Sequence, residues 1–242
     1  MDSDGFIKLP RLYVESGLSA GGIITLPQEQ AHYLRNVLRI GAGGRVRLFN
    51  GRDGEWAATV ETSGKKEVSL RPEKKLKDQP PPPREVRLFF TPIKKARMDW
   101  LVEKAVELGV THLHPVLTQN TDVRAINEER VRAQIIEATE QCERMDIPVL
   151  APLQPLFTAI QEHKILACVE RTDAPPLHKV LPPSGPVAIL IGPEGGFSAE
   201  EKEKLSAAPS VGIVSLGPRI LRAETAALVA LCQTESETRN AS

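Results

Sequence analysis

Two segments near the carboxyl end of the chain combine glycines with charged residues at spacings that suit a bound ligand. The first is IGPEGGFS at residues 191–198, and the second is LGPRILRAETA at residues 216–226. Each follows a short apolar run typical of a buried strand and precedes a helical pattern. Because such loops present bare backbone to ligands in α/β proteins, both segments are candidate binding loops.

The first loop places two glycines next to a helix start. Gly195 and Gly196 permit positive φ and carry no side chain, so peptide groups can approach a flat ligand closely. Ser198 followed by Glu201 forms a capping box, which predicts a helix from about Ala199. The loop lacks the spacing of a dinucleotide or P-loop motif, so it does not indicate phosphate binding. The alternative is a turn whose glycines only meet a backbone requirement.

The second loop is dense in polar groups. Between a turn at 217–218 and a helix predicted over 224–233 it holds Arg219, Ile220, Leu221, Arg222, Glu224 and Thr225. Charges that alternate with aliphatic side chains suit an apolar slot for a ring and a charged rim for an anion. In the alternative interpretation, Glu224 only favours the helix N-terminus and the arginines are solvated.

Both loops resemble the two signature motifs of the RsmE family, bacterial small-subunit (16S) rRNA (uracil-N3) methyltransferases of the SPOUT superfamily. Further matches follow in order along the chain, at residues 11–14, 32–41, 49–51, 97–110 and 137–148. The chain departs from the usual family residues at Tyr33, Cys142 and Ala223. It also lacks the family's Thr-x-Arg-Ser motif, having TQNT at 118–121, so the resemblance does not define the substrate contacts of that loop.

The resemblance implies an α/β fold with two domains. A PUA-like RNA-binding β-barrel is expected at 1–73, a linker at 74–84, and a SPOUT domain with a deep trefoil knot and a mainly parallel sheet at 85–242. The residues agree, since Asn-Gly and Asp-Gly turns at 50–54 separate short strands and four prolines at 80–83 form a stiff linker.

Beyond the prolines, strand and helix patterns alternate, which predicts a mainly parallel sheet covered by helices. Strands are predicted at 86–91, 112–117, 165–169, 187–191 and 211–216. Helices are predicted at 97–108, at about 127–145, from 199 and at 224–233.

The resemblance also implies S-adenosylmethionine (SAM) as cofactor. The cofactor-binding residues expected on this basis are Leu190, Ile191, Gly192, Pro193, Glu194, Gly195, Gly196, Leu216, Gly217, Arg219, Ile220 and Leu221. The implied acceptor is N3 of a specific uridine in the decoding region. That nitrogen carries a proton, so transfer needs a base or a cation that stabilises the uracil anion.

Three residues of the second loop are candidates for this catalysis. Arg222 is our first choice as the stabilising cation, because its charge is fixed. Glu224 is a weaker candidate, as a base or as a group that orients Arg222. Thr225 would cap the following helix or hydrogen-bond a uracil carbonyl.

Charge is distributed unevenly although the net charge is zero. Residues 1–100 carry 18 Lys and Arg against 12 Asp and Glu, and the rest carry 13 against 19. The excess favours an anionic partner for the first part, unless it is an incidental spread of solvated charge. The candidate RNA contacts are Arg11, Arg35, Arg39, Arg45, Arg47, Arg52, Lys94, Lys95 and Arg97. The last three could instead form a solvated helix entry.

Three further features of the sequence bear on the cellular compartment, on membrane insertion and on metal binding. The three cysteines are widely separated, which argues against disulfides and suits a reducing cytoplasm. No apolar run has the length of a membrane span. His112 and His114 share one strand face, but without a third ligand at suitable spacing we expect no metal.

The resemblance further implies a homodimer and, as its partner, small-subunit rRNA in an assembled 30S particle. Two other functions stay open from the residues alone. One is a non-catalytic RNA-binding assembly factor on the same fold, which would not bind SAM. The other is an adenine-nucleotide enzyme that uses the glycine loops for phosphates. Titration with SAM in the absence of magnesium separates these possibilities.

Overall fold

The computed structural model describes residues 8–64 and 67–240. The chain divides into two compact units. The first contains the residues up to Pro82 together with Thr139–Ile147, and the second contains Pro83–Ala138 and the residues from Pro148 onward. The return of a nine-residue segment to the first unit is not visible in the sequence pattern, which predicts two consecutive domains.

The first unit is built on a five-stranded sheet. Its strands are β1 (Arg11–Tyr13), β2 (Ile24–Thr25), β3 (Arg45–Phe49), β4 (Glu55–Ser63) and β5 (Val68–Lys77). The order is β1-β3-β4-β5-β2, with β1 parallel to β3 and the other pairs antiparallel. Among the described residues no pairing joins β1 to β2, so the sheet is a curled half-barrel.

Short helical segments accompany this sheet. Helix α1 (Gln28–His32) continues into a π-helical turn at Tyr33–Val37. The predicted turn at 50–54 connects β3 to β4, where the Asn50 side chain accepts hydrogen bonds from the backbone N–H groups of Arg52 and Asp53. Strand β5 runs to Lys77, so the first four residues of the predicted linker are part of the sheet.

Two arginines of the first unit are buried in a polar network. Arg11 donates to Glu55 Oε1 at 2.6 Å, and Arg47 donates to Glu143 Oε1 at 2.8 Å. Arg11 also donates to the backbone carbonyls of Thr139, Glu140 and Arg144. Each arginine is only 5% exposed. Both were predicted as RNA contacts. That prediction is corrected, because buried guanidinium groups satisfied by carboxylates and carbonyls stabilise the fold and do not meet phosphates.

The second unit contains a parallel sheet. Its strands are β6 (Val86–Phe90), β7 (His112–Leu117), β8 (Val149–Leu150), β9 (Gln154–Pro155), β10 (Ile165–Cys168), β11 (Val187–Ile191) and β12 (Val211–Val214). The order is β12-β10-β11-β6-β7-β8, with β9 paired to the end of β7, and every pair is parallel. This confirms the α/β class and the parallel sheet.

Helices pack around this sheet. They are α2 (Lys95–Glu107), α3 (Glu128–Gln141), α4 (Leu156–Ala159), α5 (Leu177–Val180), α6 (Ala199–Ala207) and α7 (Ala223–Asn240). The predicted capping box is confirmed, since Ser198 Oγ accepts from the Glu201 N–H and the Glu201 carboxylate accepts from the Ser198 N–H. No helix in the described part of the chain is both long and apolar enough to cross a membrane.

Several element boundaries differ from those predicted. Helix α3 ends at Gln141, before Glu143 with its φ of 61°, and not at 145. Strand β12 stops at Val214, and α7 begins one residue earlier and runs further than predicted. The segments β8, β9, α4 and α5 have two to four residues each. They were missed because segments this short show no hydrophobic period.

Candidate cofactor and catalytic site

The carboxyl ends of three neighbouring strands, β12, β10 and β11, form one edge of the parallel sheet and border an open cleft. The cleft is lined by Cys168, Val169, Glu170, Ile191, Gly192, Pro193, Gly196, Phe197, Lys202, Leu216, Gly217, Arg219, Leu221, Ala223 and Ala226. Both glycine loops therefore meet at one site, as the sequence predicted.

The glycines of this cleft are required by the backbone. Gly196 has φ 71° and Gly217 has φ 113°, a region that residues with a side chain rarely adopt. At Gly192 a Cβ atom would lie 2.8 Å from the Phe197 ring, so the aromatic ring packs on bare backbone. The first loop thus turns tightly, with the Gly196 N–H donating to the Pro193 carbonyl at 2.9 Å, and its backbone lines the cleft.

The structure separates the predicted cofactor residues into two groups. Those that line the cleft are Ile191, Gly192, Pro193, Gly196, Leu216, Gly217, Arg219 and Leu221, and those that do not are Leu190, Glu194, Gly195 and Ile220. Leu190 is fully buried in the core behind the loop, whereas Ile220 is 57% exposed. Apart from Arg219, the members that line the cleft are glycine, proline and aliphatic residues.

None of the predicted site residues belongs to the central strand β10 or the residues that follow it, although this part of the chain contributes to the cleft. Cys168, Val169 and Glu170 lie at the end of β10 and line the cleft between the two glycine loops. A Cβ atom at Gly196 would lie 3.3 Å from Glu170 Oε1, so this carboxylate reaches over the first loop. Burial raises the pKa of the Cys168 thiol to about 12, so the thiol is neutral at pH 7.

Arg97 connects the two loops from helix α2. Its guanidinium forms an ion pair with Glu194 of the first loop, and its Nε lies 3.7 Å from Glu224 Oε1 at the start of α7. Arg97 was predicted as an RNA contact. In the structure its charge is paired with two carboxylates, one in each loop.

Glu224 is 7% exposed, and its Oε2 has no hydrogen-bond partner among the described residues. Within the described residues no hydrogen bond or ion pair joins it to Arg222, so the predicted orienting role toward Arg222 is not seen. Its position instead places the carboxylate against Arg97.

Arg222 and Thr225 are both exposed. The Arg222 carbonyl accepts from the Ala226 N–H at 2.8 Å, so Arg222 stands at the N-cap of α7. Thr225 lies within the first turn, and the prediction that it caps this helix is wrong.

The loop after β7 supports the first glycine loop. The Asn120 side chain donates to the Gly196 carbonyl at 2.9 Å, and the Gln119 N–H donates to Glu201 at 2.7 Å. A smaller cleft lies beside it, lined by Pro92, Ile93, Lys94, Asn120, Asp122, Val123, Pro193 and Glu194. Pro193 lines both clefts, so the smaller cleft lies next to the main one, which contains the two glycine loops.

The remaining predicted RNA contacts stay at or near the surface. In the first unit, Arg39 and Arg52 are exposed, Arg35 donates to the Gly64 carbonyl, and Arg45 lies 3.8 Å from Glu73. Lys94 and Lys95 are exposed in the second unit. These six cations keep the surface access that Arg11 and Arg47 lack.

Three histidines cluster away from the glycine loops. The ring of His114 stacks on Phe89 with centroids 4.3 Å apart and is also near His112 and His163. Burial lowers the pKa of His114 to about 4, so its ring is neutral at pH 7. The described residues contain no group of three or more His, Cys, Asp or Glu arranged to hold a metal.

Comparison with known proteins agrees with this architecture. The RNA methyltransferase domain family matches residues 80–234, and the RNA methyltransferase PUA domain family matches residues 26–73. "Ribosomal RNA small subunit methyltransferase E" of Rickettsia conorii is 33% identical over 233 residues, which cover 94% of this chain and 95% of that protein.

Two solved structures are similar over nearly their whole length. A Legionella pneumophila protein in complex with the bound cofactor SAM is 32% identical, with a TM-score of 0.84 over 95% of this chain and 98% of that one. The ribosomal RNA small subunit methyltransferase E of Neisseria gonorrhoeae, bound to SAM, is 29% identical, with a TM-score of 0.83 over 94% and 97%. The chain therefore belongs to the family of ribosomal RNA small subunit methyltransferase E, and its fold joins a PUA domain to a SPOUT methyltransferase domain.

Proposed function

We propose that the protein is a SAM-dependent methyltransferase that modifies N3 of a uridine in the decoding region of small-subunit rRNA. The observation that carries the proposal is the cleft in which both glycine loops expose backbone at the ends of adjacent parallel strands. The SAM bound by two relatives of similar fold supports the same cofactor here.

The residues of the cleft fit SAM chemically. Aliphatic side chains at Val169, Leu216 and Leu221, with Ala226 on α7, suit a flat adenine ring. Lys202 and Arg219 supply cations for a carboxylate, and the missing side chain at Gly196 lets a ligand lie directly against the backbone. When bound, SAM would supply an electrophilic methyl group. The residues of the chain would position the acceptor uridine and stabilise the anion that forms when its N3 proton leaves.

Uridine N3 becomes nucleophilic only as its proton leaves to solvent water, which puts negative charge on the uracil ring. The exposed guanidinium of Arg222 carries a fixed charge and stabilises that anion. Thr225, exposed one turn into the same helix end, donates to a uracil carbonyl. Glu224 is buried against Arg97 and acts as a positioning residue that holds the start of α7.

The acceptor base is proposed to approach along the smaller cleft beside Pro193. Lys94, Asn120 and Asp122 are the polar residues of this cleft that an RNA base would meet.

RNA is positioned by exposed cations, which contact phosphates without reading sequence. We assign this role to Arg35, Arg39, Arg45, Arg52, Lys94 and Lys95. Replacing Arg39 and Arg52 by glutamine should make the log–log salt dependence of rRNA binding shallower, since each neutralised phosphate adds to that slope. A slope that both changes leave intact would remove these arginines from the RNA surface. The natural substrate is proposed to be the assembled 30S particle.

The active form is proposed to be a homodimer, as the family resemblance implies. Trp100 on α2 and Ile220 in the second loop are large apolar side chains that are 42% and 57% exposed. We expect the second protomer to cover these two side chains. Sedimentation equilibrium of the wild type and of a Trp100→Glu variant tests this: the wild type should be dimeric and the variant shifted toward monomer. A monomeric wild type would contradict it.

Calorimetric titration with SAM in magnesium-free buffer tests the cofactor assignment and separates the alternative function. A catalytic enzyme binds SAM with one site per chain, whereas a non-catalytic RNA-binding assembly factor on the same fold binds none. Absence of SAM binding by a folded protein that still binds rRNA would favour the second function.

A further inference from the structure

We propose that Glu170 binds the ribose diol of the cofactor, an inference that rests on the proposed SAM-dependent function. Glu170 follows the central strand β10 and lines the main cleft between the two glycine loops. It is a specificity-determining residue at a position where neither glycine motif supplies a side chain.

The geometry places the carboxylate inside the cleft. Its Oε1 lies 3.3 Å from the position that a Cβ atom of Gly196 would occupy, directly over the bare backbone of the first loop. Within the described part of the chain, Glu170 makes no hydrogen bond or ion pair with protein groups. Two carboxylate oxygens are therefore free to accept hydrogen bonds from a ligand.

The surroundings favour hydroxyl donors of a sugar over other parts of the cofactor. Val169, the preceding residue, belongs to the apolar lining that suits adenine, so Glu170 stands where the apolar part of the cleft ends. The ribose is joined directly to adenine and is the first polar group beyond such a slot. A carboxylate that pairs with a ribose hydroxyl is an established way for α/β proteins to recognise adenosine cofactors.

We assign the methionine moiety, at the other end of SAM, to the cations of the cleft. Lys202 and Arg219 also line it and suit the carboxylate of the methionine moiety. A lone exposed carboxylate facing an ammonium group contributes little, because water screens such pairs. Two directed hydrogen bonds to a neutral diol lose less to screening, so the ribose is the better match for Glu170.

Affinity measurements with truncated ligands test the assignment. SAM and 5′-methylthioadenosine share the ribose and adenine, but only SAM has the amino-acid moiety. We expect Glu170→Gln to weaken both ligands by the same factor, roughly tenfold, as for loss of a charge-assisted hydrogen bond. Asp173→Asn is the matched control, since it removes the same charge from an exposed position three residues away that does not line the cleft. It should change neither affinity.

A second comparison isolates the hydroxyl group. The 2′-deoxy form of 5′-methylthioadenosine should bind the wild type more weakly than the parent compound, and Glu170→Ala should abolish this difference. Loss of SAM affinity with unchanged 5′-methylthioadenosine affinity would place Glu170 on the amino-acid moiety and overturn the inference, as would unchanged affinity for both. If the folded wild type binds neither ligand, the proposed function itself fails, which is a distinct result.

Discussion

Replacing Arg97 by methionine removes the cation that lies beside the buried carboxylate of Glu224. The ion pairs of Arg97 reach Glu194 in the first glycine loop and Glu224 at the start of α7. Methionine keeps most of the aliphatic stem and removes only the charge and the donors. Both loops of the cofactor cleft therefore lose their shared contact, while the packing of α2 is largely preserved.

The magnitude of this change follows from burial and distance. Loss of one partner from a fully buried ion pair costs about 3–5 kcal/mol. Here the Glu224 side chain is 10% exposed but that of Arg97 is 39% exposed, and the closest atoms of the two are 3.7 Å apart. Solvent screening and the N-terminal dipole of α7 reduce the cost, so we expect about 1–2 kcal/mol. For a chain of this size that lowers the melting temperature by about 3–6 °C.

Thermal and urea unfolding measure the stability, and calorimetry measures SAM affinity, which should fall several-fold. Adding Glu224→Gln to Arg97→Met should recover most of the lost stability, because the uncompensated charge is gone. Arg130→Met is the control, since it breaks the Arg130–Asp99 ion pair on the same helix, in which both side chains are about one-third exposed. That change should cost less than about 1 kcal/mol. Equal losses in both single variants, or no recovery in the double variant, would refute the reasoning.

Three further predictions concern chemistry, the cleft and pH. Arg222→Ala should lower single-turnover methyl transfer roughly a hundredfold with little change in SAM affinity, and lysine should restore only part of the rate. A full-rate alanine variant excludes the role. Ala226→Leu should fill the cleft from helix α7 and weaken SAM binding without unfolding the protein, and equal affinity would place the cofactor elsewhere. Because the pKa of His114 is lowered to about 4, its contribution to stability is complete above about pH 6.5 and is lost as pH falls toward 4, where the unfolded chain is protonated first. Between pH 6.5 and 4, the free energy of unfolding of His114→Phe should change less with pH than that of the wild type. The same pH dependence in both proteins would contradict the lowered pKa of His114.

Local patterns were sufficient to predict the elements that frame the site. The apolar run at Val187–Ile191, the capping box at Ser198 and the turn at 50–54 all depend on neighbouring residues, and each appears where it was predicted. Both glycine loops meet in one cleft because parallel strands end at the same sheet edge, a consequence of topology that alternation along the chain already indicates.

The features of the fold and of the site that were not predicted depend on residues far apart in the chain. Arg11 is indistinguishable by type from a surface arginine, and only its pairing with Glu55, 44 residues away, shows that it is buried. Glu170 belongs to no motif, and it enters the cleft because β10 lies between β11 and β12 in the sheet. Arg97 was predicted as a phosphate contact for the same reason, since its carboxylate partners are about a hundred residues later in the chain.

Methylation of small-subunit particles from a strain that lacks the enzyme tests the central claim most directly. Purified protein, particles and isotopically labelled SAM are incubated, and the rRNA is digested to nucleosides for mass spectrometry. We expect label in N3-methyluridine alone, at one nucleotide per particle in the decoding region. Label on a ribose hydroxyl or on another base, or no label in the presence of a folded protein that binds SAM, would contradict it.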